Sequence, residues 1–277
     1  INQNKTMKAK SIKGKSTSAI QLALEQSMTD GFKPTLAICF ISKSMDRNAI
    51  SNLLDAVGIS VFGCTTNGDF IDVDKDKESA AILLLDMKKE YFHIYFHEFS
   101  EPNYREAAQE IAKKAKEKFA VPAFFIGLSH HETDGEEVLR GLEDIVGKEV
   151  NAFGGGAGDD YAFKETVVFA NGKDSNKAIV CIAIDETKIT VEGITTCGWK
   201  AVGTEKIVTK SEGNHVYTVD NVPVLDLTAK YGGLEDVTPE NKNLLLEIAS
   251  SLPLQLQREK GDPVMRPGLM VDWSDHS

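Results

Sequence analysis

A chain of 277 residues with 42% hydrophobic and 26% charged residues has the composition of a globular protein, long enough for one large domain or two small ones. Its formal net charge of −11 argues against nucleic-acid binding, and no apolar run approaches the roughly 20 residues of a membrane span. We therefore expect a soluble, cytoplasmic protein whose four cysteines, none in a C-x-x-C pair, are reduced thiols without metal.

Apolar residues spaced three and four apart predict four helices before residue 150, because this spacing places them on one face of a helix. Ser16–Ser18, Asp46 and Asp134 are the expected N-caps, and Gly58 and Gly147 are the expected stops. The apolar stripes lie at 20–28, 50–57, 104–115 and 138–145.

Runs rich in Ile, Val and Phe lie between and after these helices and predict strands. Several are continuously apolar, which is typical of strands covered on both faces. The runs are 36–41, 59–63, 80–85, 92–96, 123–128, 149–153, 166–169, 178–184 and 189–195.

The order of these elements repeats along the chain. A proline before a strand, an aspartate cap, a glycine stop and a glycine-rich loop recur between 88 and 91 residues later. The two sets are Pro34, Asp46, Gly58 and Gly63, then Pro122, Asp134, Gly147 and Gly154. We infer an α/β fold with an internally duplicated, sandwich-like arrangement of helices and strands in an N-terminal domain over residues 1–200.

Beyond residue 200 the pattern changes to a smaller α+β domain over residues 201–277. It predicts a hairpin at 207–219, short helices at 223–231 and from residue 239, and strands at 253–257 and 265–272. The chain stops at Ser277, directly after the turn-like residues 273–275, so we expect this second domain to be truncated.

Two loops carry the residues best suited to chemistry: residues 63–70 (GCTTNGDF) and 154–161 (GGGAGDDY). Each follows a predicted strand and ends in aspartate plus an aromatic residue. Glycine lets backbone amides approach a ligand, and amide clusters favour carboxylate or phosphate oxygens, whereas the aspartates can accept an ammonium group. Tight crossovers in a crowded sheet also need glycine, but two loops beyond equivalent strand ends favour a ligand site.

Neither loop is a nucleotide motif, because the third glycine of a G-x-G-x-x-G from Gly154 is replaced by Asp159 and no Walker-type loop is present. Arg266 either clamps a ligand carboxylate or pairs with Asp262 or Asp272. The predicted ligand-binding residues are Cys64, Thr65, Thr66, Asn67, Asp69, Ser129, His130, Gly155, Gly156, Asp159, Asp160 and Arg266.

The two loops, together with TVVF-x-NG at 166–172, resemble the signature segments of the FIST domain family. Three further segments also fit: EEVLRGL at 136–142, Tyr217 six residues before Pro223, and VMRP at 264–267. The resemblance therefore spans about residues 30–277. It implies a sensory domain that binds small ligands such as amino acids and acts upstream of a signalling protein such as a histidine kinase or cyclase.

One branch of that family is similar but binds haem and senses nitric oxide. This chain departs from the usual small and acidic residues by having Ser129, His130, His131 and Glu132 after the strand at 123–128. His130 or His131 is therefore a candidate haem ligand, although a histidine in a loop is more commonly solvated.

The leading hypothesis is a non-catalytic sensor that binds a small polar metabolite between the two loops. The alternatives are a haem-binding nitric-oxide sensor and a hydrolase that uses Cys64 or Thr65. Because no base accompanies Cys64 or Thr65 in the sequence, we expect no enzymatic activity.

Overall fold

The computed structural model describes residues 7–72, 74–100, 102–130, 133–160, 162, 164–194, 198–213, 215–235, 238–258, 263–268 and 270–277. The chain divides into two compact units, residues 1–194 and 195–277. The domain boundary predicted after residue 200 stays a prediction, because these units are defined by packing alone.

Sheets with helices packed against them make up the first unit. The helices are α1 (Thr17–Ser27), α2 (Arg47–Asp55), α3 (Tyr104–Lys118) and α4 (Gly135–Val146). The strands are β1 (Ala9–Gly14), β2 (Leu36–Ile41), β3 (Ser60–Thr65), β4 (Asp69–Ile71), β5 (Asp74–Asp76), β6 (Ala80–Leu85), β7 (Phe92–Glu98), β8 (Pro122–Leu128), β9 (Ala152–Gly156), β10 (Val168–Ala170), β11 (Lys173–Ser175) and β12 (Ala178–Asp185).

The strand order confirms the predicted duplication. Within the described residues, one sheet has the order β1-β6-β2-β3-β10-β11 and the other has the order β7-β12-β8-β9. In each half the outermost strand pairs antiparallel with the second, the second pairs antiparallel with the third, and the third pairs parallel with the fourth. β1-β6-β2-β3 and β7-β12-β8-β9 are therefore the same topology built twice.

Three apolar clusters arrange these elements in four layers. One cluster joins α1 and α2 to the first sheet, another joins α3 and α4 to the second, and the third lies between the two sheets. Phe169, Phe124 and Phe62 are fully buried or nearly so in these three clusters, respectively. Each buried aromatic side chain contributes on the order of 2–3 kcal/mol to folding, so the sandwich core holds the loop-bearing strand ends in place.

The two halves differ in the connection that follows their third strand in chain order, which is β3 in the first half and β9 in the second. Residues 66–68 join β3 to β4, whereas residues 157–167 join β9 to β10. The longer connection carries β10 across to the first sheet, where it pairs antiparallel with β3. At that crossing a Cβ on Gly63 would lie 2.0 Å from Cζ of Phe169, so the close approach of the two strands requires glycine.

The expected helix caps are confirmed. Ala19 N donates to Ser16 Oγ at 3.1 Å, and Ala49 N donates to Asp46 Oδ1 at 2.9 Å. Asp134 Oδ1 accepts from Glu136 N at 2.9 Å and Glu137 N at 3.2 Å. Gly58 and Gly147 have φ values of 77° and 112°, which L-residues with side chains rarely adopt, so each glycine allows its helix to end.

The strand predicted at 189–195 is wrong over the described part, 189–194, where the chain forms no strand. Ile189 and Val191 are partly buried against the cluster between the sheets. Asn151 Nδ2 also donates to the backbone oxygen of Val191 at 3.2 Å. The apolar residues at 189–194 therefore contribute through side-chain packing. Separately, the strand predicted at 149–153 begins later, at Ala152.

The second unit has its own strands and helices. They are β13 (Val208–Glu212), β14 (His215–Val219), β15 (Val222–Pro223), α5 (Val224–Gly232), α6 (Lys242–Ser251), β16 (Leu254–Leu256) and β17 (Val264–Arg266). The predicted hairpin and helices are confirmed, but the strand predicted at 265–272 ends at Arg266. No helix in the described ranges has both the length and the apolar character that crossing a membrane requires.

Candidate functional site

The two glycine-rich loops meet, as expected from the sequence, at a contact that we call the loop junction. Gly158 N donates to the backbone oxygen of Thr65 at 2.7 Å, and Asp159 N donates to Asn67 Oδ1 at 2.9 Å. A Cβ on Gly158 would lie 2.5 Å from Asn67 Oδ1, so only glycine allows this approach. Tyr161, at the end of the second loop, lies outside the described residues.

Cys64 lies inside the sandwich instead of facing a ligand. Its side chain is buried, and a Cβ on Gly127 of the other sheet would lie 2.4 Å from Cys64 Sγ. Burial raises the pKa of the Cys64 thiol to about 12. The group is therefore a neutral thiol at neutral pH, which does not favour a nucleophilic role.

Thr65 anchors the crossing chain. Its hydroxyl accepts from Val167 N at 2.9 Å and donates to Val167 O at 3.3 Å, and the residue is 1% exposed. Both hydrogen-bonding functions of the hydroxyl are thus satisfied by backbone. Thr65 holds the connection before β10 in place and gives no support to the hydrolase alternative.

The first residues of the second loop, which form the end of β9, are exposed backbone. Gly154 has a φ of 149°, and a Cβ there would lie 1.9 Å from Ile126 O, whereas a Cβ on Gly155 or Gly156 would meet nothing within 4 Å. Ala157 N donates to Leu128 O at 2.7 Å, and amides of adjacent strand residues point to opposite sides. The Gly156 amide is therefore directed away from β8.

The Asp159 carboxylate is used within its own loop. The residue is 5% exposed, and its Oδ2 accepts from Lys164 N at 2.8 Å and Glu165 N at 3.0 Å. These bonds hold the bend of the second loop. Asp159 therefore shapes the junction, and its Oδ2 is not offered to an ammonium group, contrary to the prediction from the sequence.

Ser129 and His130 lie at the end of β8, beside the junction. The Ser129 hydroxyl is buried, accepts from Ala178 N at 2.7 Å and donates to Ala178 O at 3.1 Å. His130 has a φ of 69°, and its amide donates to Thr166 Oγ1 at 2.8 Å. Ser129 thus binds its own sheet, while His130 is tied to the chain next to Val167; His131 lies outside the described residues.

Asp69 is the most unusual polar group of the junction. It is 4% exposed, its Oδ2 accepts from the Ser79 hydroxyl, and its Oδ1 is buried without a hydrogen-bond partner. Burial raises the pKa of the Asp69 carboxyl above its usual value. Ser79 and Lys13 act in the opposite direction, and the nearby carboxylates of Asp76 and Asp160 raise that pKa further.

Asp160 lies close to Asp69, and we call the two residues the carboxylate pair. Asp160 is exposed, has a φ of 58° and accepts from Ser42 Oγ at 3.4 Å. Ser42 N in turn donates to the backbone oxygen of Ser79 at 2.8 Å. A chain of hydrogen bonds through two buried serines therefore links the carboxylates of the pair.

Sequence reasoning missed Ser42, although a signal was present. Ser42 follows β2 as Ser129 follows β8, so an alignment of the two repeats pairs them. Thr66, which was predicted, lies at the end of β3 with its amide bonded to Ile41 O at 3.1 Å. Its Oγ1 is buried and has no hydrogen-bond partner, which makes it a second unsatisfied oxygen beside Asp69.

Arg266 belongs to the second unit, in β17. It is exposed, and its guanidinium donates to the neighbouring Met265 O at 3.3 Å. Of its two predicted carboxylate partners, Asp262 lies outside the described residues, and Asp272 Oδ1 accepts from Ser274 N and Oγ. A role for Arg266 in ligand binding stays a prediction.

Comparison with known protein families gives one clear match. The family model described as the FIST N domain matches residues 35–222, which is more than half of the chain. The matched range contains both loops, Ser129, His130 and the carboxylate pair. No curated protein matches the chain.

Proposed function

The chain belongs to the FIST family, a family of sensor and signal-transduction domains, and from this premise we propose that its first unit binds a small polar metabolite at the loop junction. An amino acid is the kind of ligand that the junction would suit. Binding would change the state of a partner in the same signalling pathway, such as a histidine kinase or cyclase.

The observation that carries this proposal is the junction itself. Gly158 and Thr65 bring the two loops into contact, and the loops carry exposed glycine backbone and two buried oxygens without partners, in Thr66 and Asp69. Buried polar groups without partners cost about 1–3 kcal/mol each and are rare in folded proteins. A bound polar molecule would satisfy them, which explains why the fold tolerates them.

The same geometry supports binding without catalysis. Cys64 is buried as a neutral thiol, and the Thr65 hydroxyl is occupied by Val167. Neither group supplies the activated nucleophile that a hydrolase needs. A sensor needs only a ligand that favours one arrangement of the loops over another.

Haem ligation through His130 or His131 stays a prediction from the sequence. The described contacts of the His130 backbone are polar: its amide bonds to the hydroxyl of Thr166, and its carbonyl oxygen accepts from Thr133 N at 3.0 Å.

A thermal-shift screen tests the proposed function directly. The compounds are amino acids, organic acids and nucleotides, and the matched variants are Gly156→Val and Lys148→Val. Valine at 156 meets open space in the empty protein and occupies the room beside β9, whereas Lys148 is exposed in the turn after α4.

We expect at least one compound to raise the melting temperature of the wild type and of Lys148→Val but not of Gly156→Val. Because a Cβ at position 156 meets nothing within 4 Å, the melting temperature of Gly156→Val without ligand should stay within about 2 °C of the wild type. No shift across the whole set, or an equal shift in Gly156→Val, would count against the proposal.

A further inference from the structure

We propose that the carboxylate pair, Asp69 and Asp160, holds the positively charged nitrogen of a small organic amine. This inference rests on the proposed function and deepens it, because it assigns the class of ligand and the residues that select it. Asp69 would bind the ammonium group through its unpaired Oδ1, and Asp160 would bind it from the solvent side.

The pair brings two carboxyl groups together without a bonded counter-ion. Among the residues that the structure describes, neither Asp69 nor Asp160 forms an ion pair. Lys13, the cation that acts on Asp69, bonds instead to Asp74 at 2.6 Å and Asp76 at 3.4 Å. A buried carboxylate is stable only when it is paired, so this arrangement is suited to receive a cation from outside.

The loop amides point to the same class of ligand. Three successive amides of the second loop, those of Ala157, Gly158 and Asp159, donate to groups of the protein. They are thereby unavailable for the carboxylate or phosphate that a glycine-rich loop suggests. Two side-chain oxygens at the junction are buried without a hydrogen-bond partner: Asp69 Oδ1, which is an acceptor, and Thr66 Oγ1, which can accept as well as donate.

An ammonium group fits this acceptor set better than a divalent metal. Calcium takes six to eight oxygen ligands, and magnesium demands near-ideal octahedral geometry. In the described part of the chain, no group of three or more His, Cys, Asp or Glu side chains could hold a metal ion. An alkylammonium has three N–H donors and a single charge, which two carboxylates and one hydroxyl can satisfy.

The duplication explains how the pair arises. Asp69 occupies the same place in the first loop that Asp160 occupies in the second, six residues after Gly63 and Gly154, respectively. The loops meet at the junction, so one repeated aspartate is brought near its copy. Ser42 and Ser79, which lie between them, donate to the two carboxylates and leave one oxygen of Asp69 for the ligand.

Matched pairs of small molecules test the charged nitrogen. Alanine and lactate, glycine and glycolate, and 1,4-diaminobutane and 1,4-butanediol differ only in ammonium against hydroxyl groups. Isothermal titration calorimetry would measure each compound against the wild type, Asp69→Asn, Asp160→Asn and the control Asp74→Asn. Asp74 carries the same charge on β5 but is exposed and paired with Lys13.

We expect at least one amine to bind the wild type about tenfold or more tightly than its hydroxyl counterpart. Asp69→Asn should weaken that binding by about 10- to 100-fold, because a charged hydrogen bond is lost. Asp160→Asn should weaken it by less, since Asp160 is exposed, and Asp74→Asn should leave it within about twofold.

Four outcomes would overturn the proposal. They are equal binding of the hydroxyl compounds, unchanged amine affinity in a folded Asp69→Asn variant, binding of Mg²⁺ or Ca²⁺ in place of any amine, and no measurable binding of any amine. If organic acids bind and Gly156→Val abolishes that binding while Asp69→Asn does not, the ammonium assignment fails and the proposed function stands. If no compound of either set binds, both fail.

Discussion

The first half of the duplicated unit, residues 9–85, and the second half, residues 92–185, build the same strand order with different connections. In the first half, the short link at 66–68 keeps β4 close to β3 in sequence. In the second half, the long link at 157–167 lets β10 cross and pair with β3. The outer edge of β3 is therefore covered by β10, whereas Gly154–Gly156 at the end of β9 is exposed.

The two copies of the repeat use equivalent positions differently. Equivalent positions have been given different tasks: Thr65 is buried and bonded to Val167, but its counterpart Gly156 is open. Ser129 binds its own sheet, but its counterpart Ser42 donates to Asp160 of the other half. The candidate site lies where the two copies stop being equivalent.

The largest expected effect concerns the exposed strand end. We expect Gly154→Ala to lower the free energy of unfolding by about 3 kcal/mol or more, because its Cβ would lie 1.9 Å from the backbone oxygen of Ile126 at a φ of 149°. Gly155→Ala, which meets open space, should stay within about 0.5 kcal/mol of the wild type. Urea unfolding measures both, and equal effects would show that β9 is not held against β8 as described.

An intermediate effect separates the two equivalent serines. Ser129→Ala should cost about 1–3 kcal/mol, since it leaves the buried amide of Ala178 without its hydroxyl partner. Ser42→Ala should cost less than about 1 kcal/mol, because its bond to Asp160 is long and Asp160 is exposed. Equal losses in chemical denaturation would mean that the two serines have the same role and that the comparison fails.

The smallest effect concerns pH and the two equivalent aspartates. Because the pKa of Asp69 is raised in the folded protein, its ionisation costs stability as the pH rises through that value. At pH 7 we expect Asp69→Asn to melt about 1–4 °C higher than the wild type. The gap should close as the pH falls and Asp69 becomes protonated, since both side chains are then neutral.

Asp160→Asn is the matched control for this pH series, because Asp160 is exposed. We expect it to change the melting temperature by less than about 1 °C at any pH. The other charged groups that act on Asp69, which are Lys13, Asp76 and Asp160, stay the same in Asp69→Asn. A lower melting temperature for Asp69→Asn at pH 7, measured by calorimetry, would contradict an unfavourable buried charge.

Much of the fold was predictable because its signals are local. Asp46 and Asp134 cap helices through their own side chains, and the spacing from Gly63 to Gly154 marks the repeat. That the loops converge followed from the topology of parallel strand ends. The segment at 189–195 has the apolar residues typical of a strand, so the sequence alone predicts one. In its described part, Ile189 and Val191 instead pack against the core through their side chains, without pairing to a neighbouring strand.

The chemistry of the site was less predictable because it depends on distant contacts. Nothing local indicates that β10 leaves its own half, or that Gly158 donates to Thr65. The sequence suggested an anion for the loop amides and an ammonium group for the aspartates. Three of those amides are bonded within the protein, and two side-chain oxygens at the junction are buried without partners. Asp69 stood in the predicted set, but its burial and its unpaired oxygen are properties of packing.

The crossing of β10 has a consequence for biosynthesis. A ribosome makes the chain from the N-terminus, so β1 to β6 leave it long before Val168–Ala170 follow. During that interval, the edge of β3 that β10 later covers is unpaired. An unpaired strand edge can pair with another nascent chain. The two halves therefore also differ in when they can complete folding, because the first sheet is complete only after β10 of the second half has been synthesised.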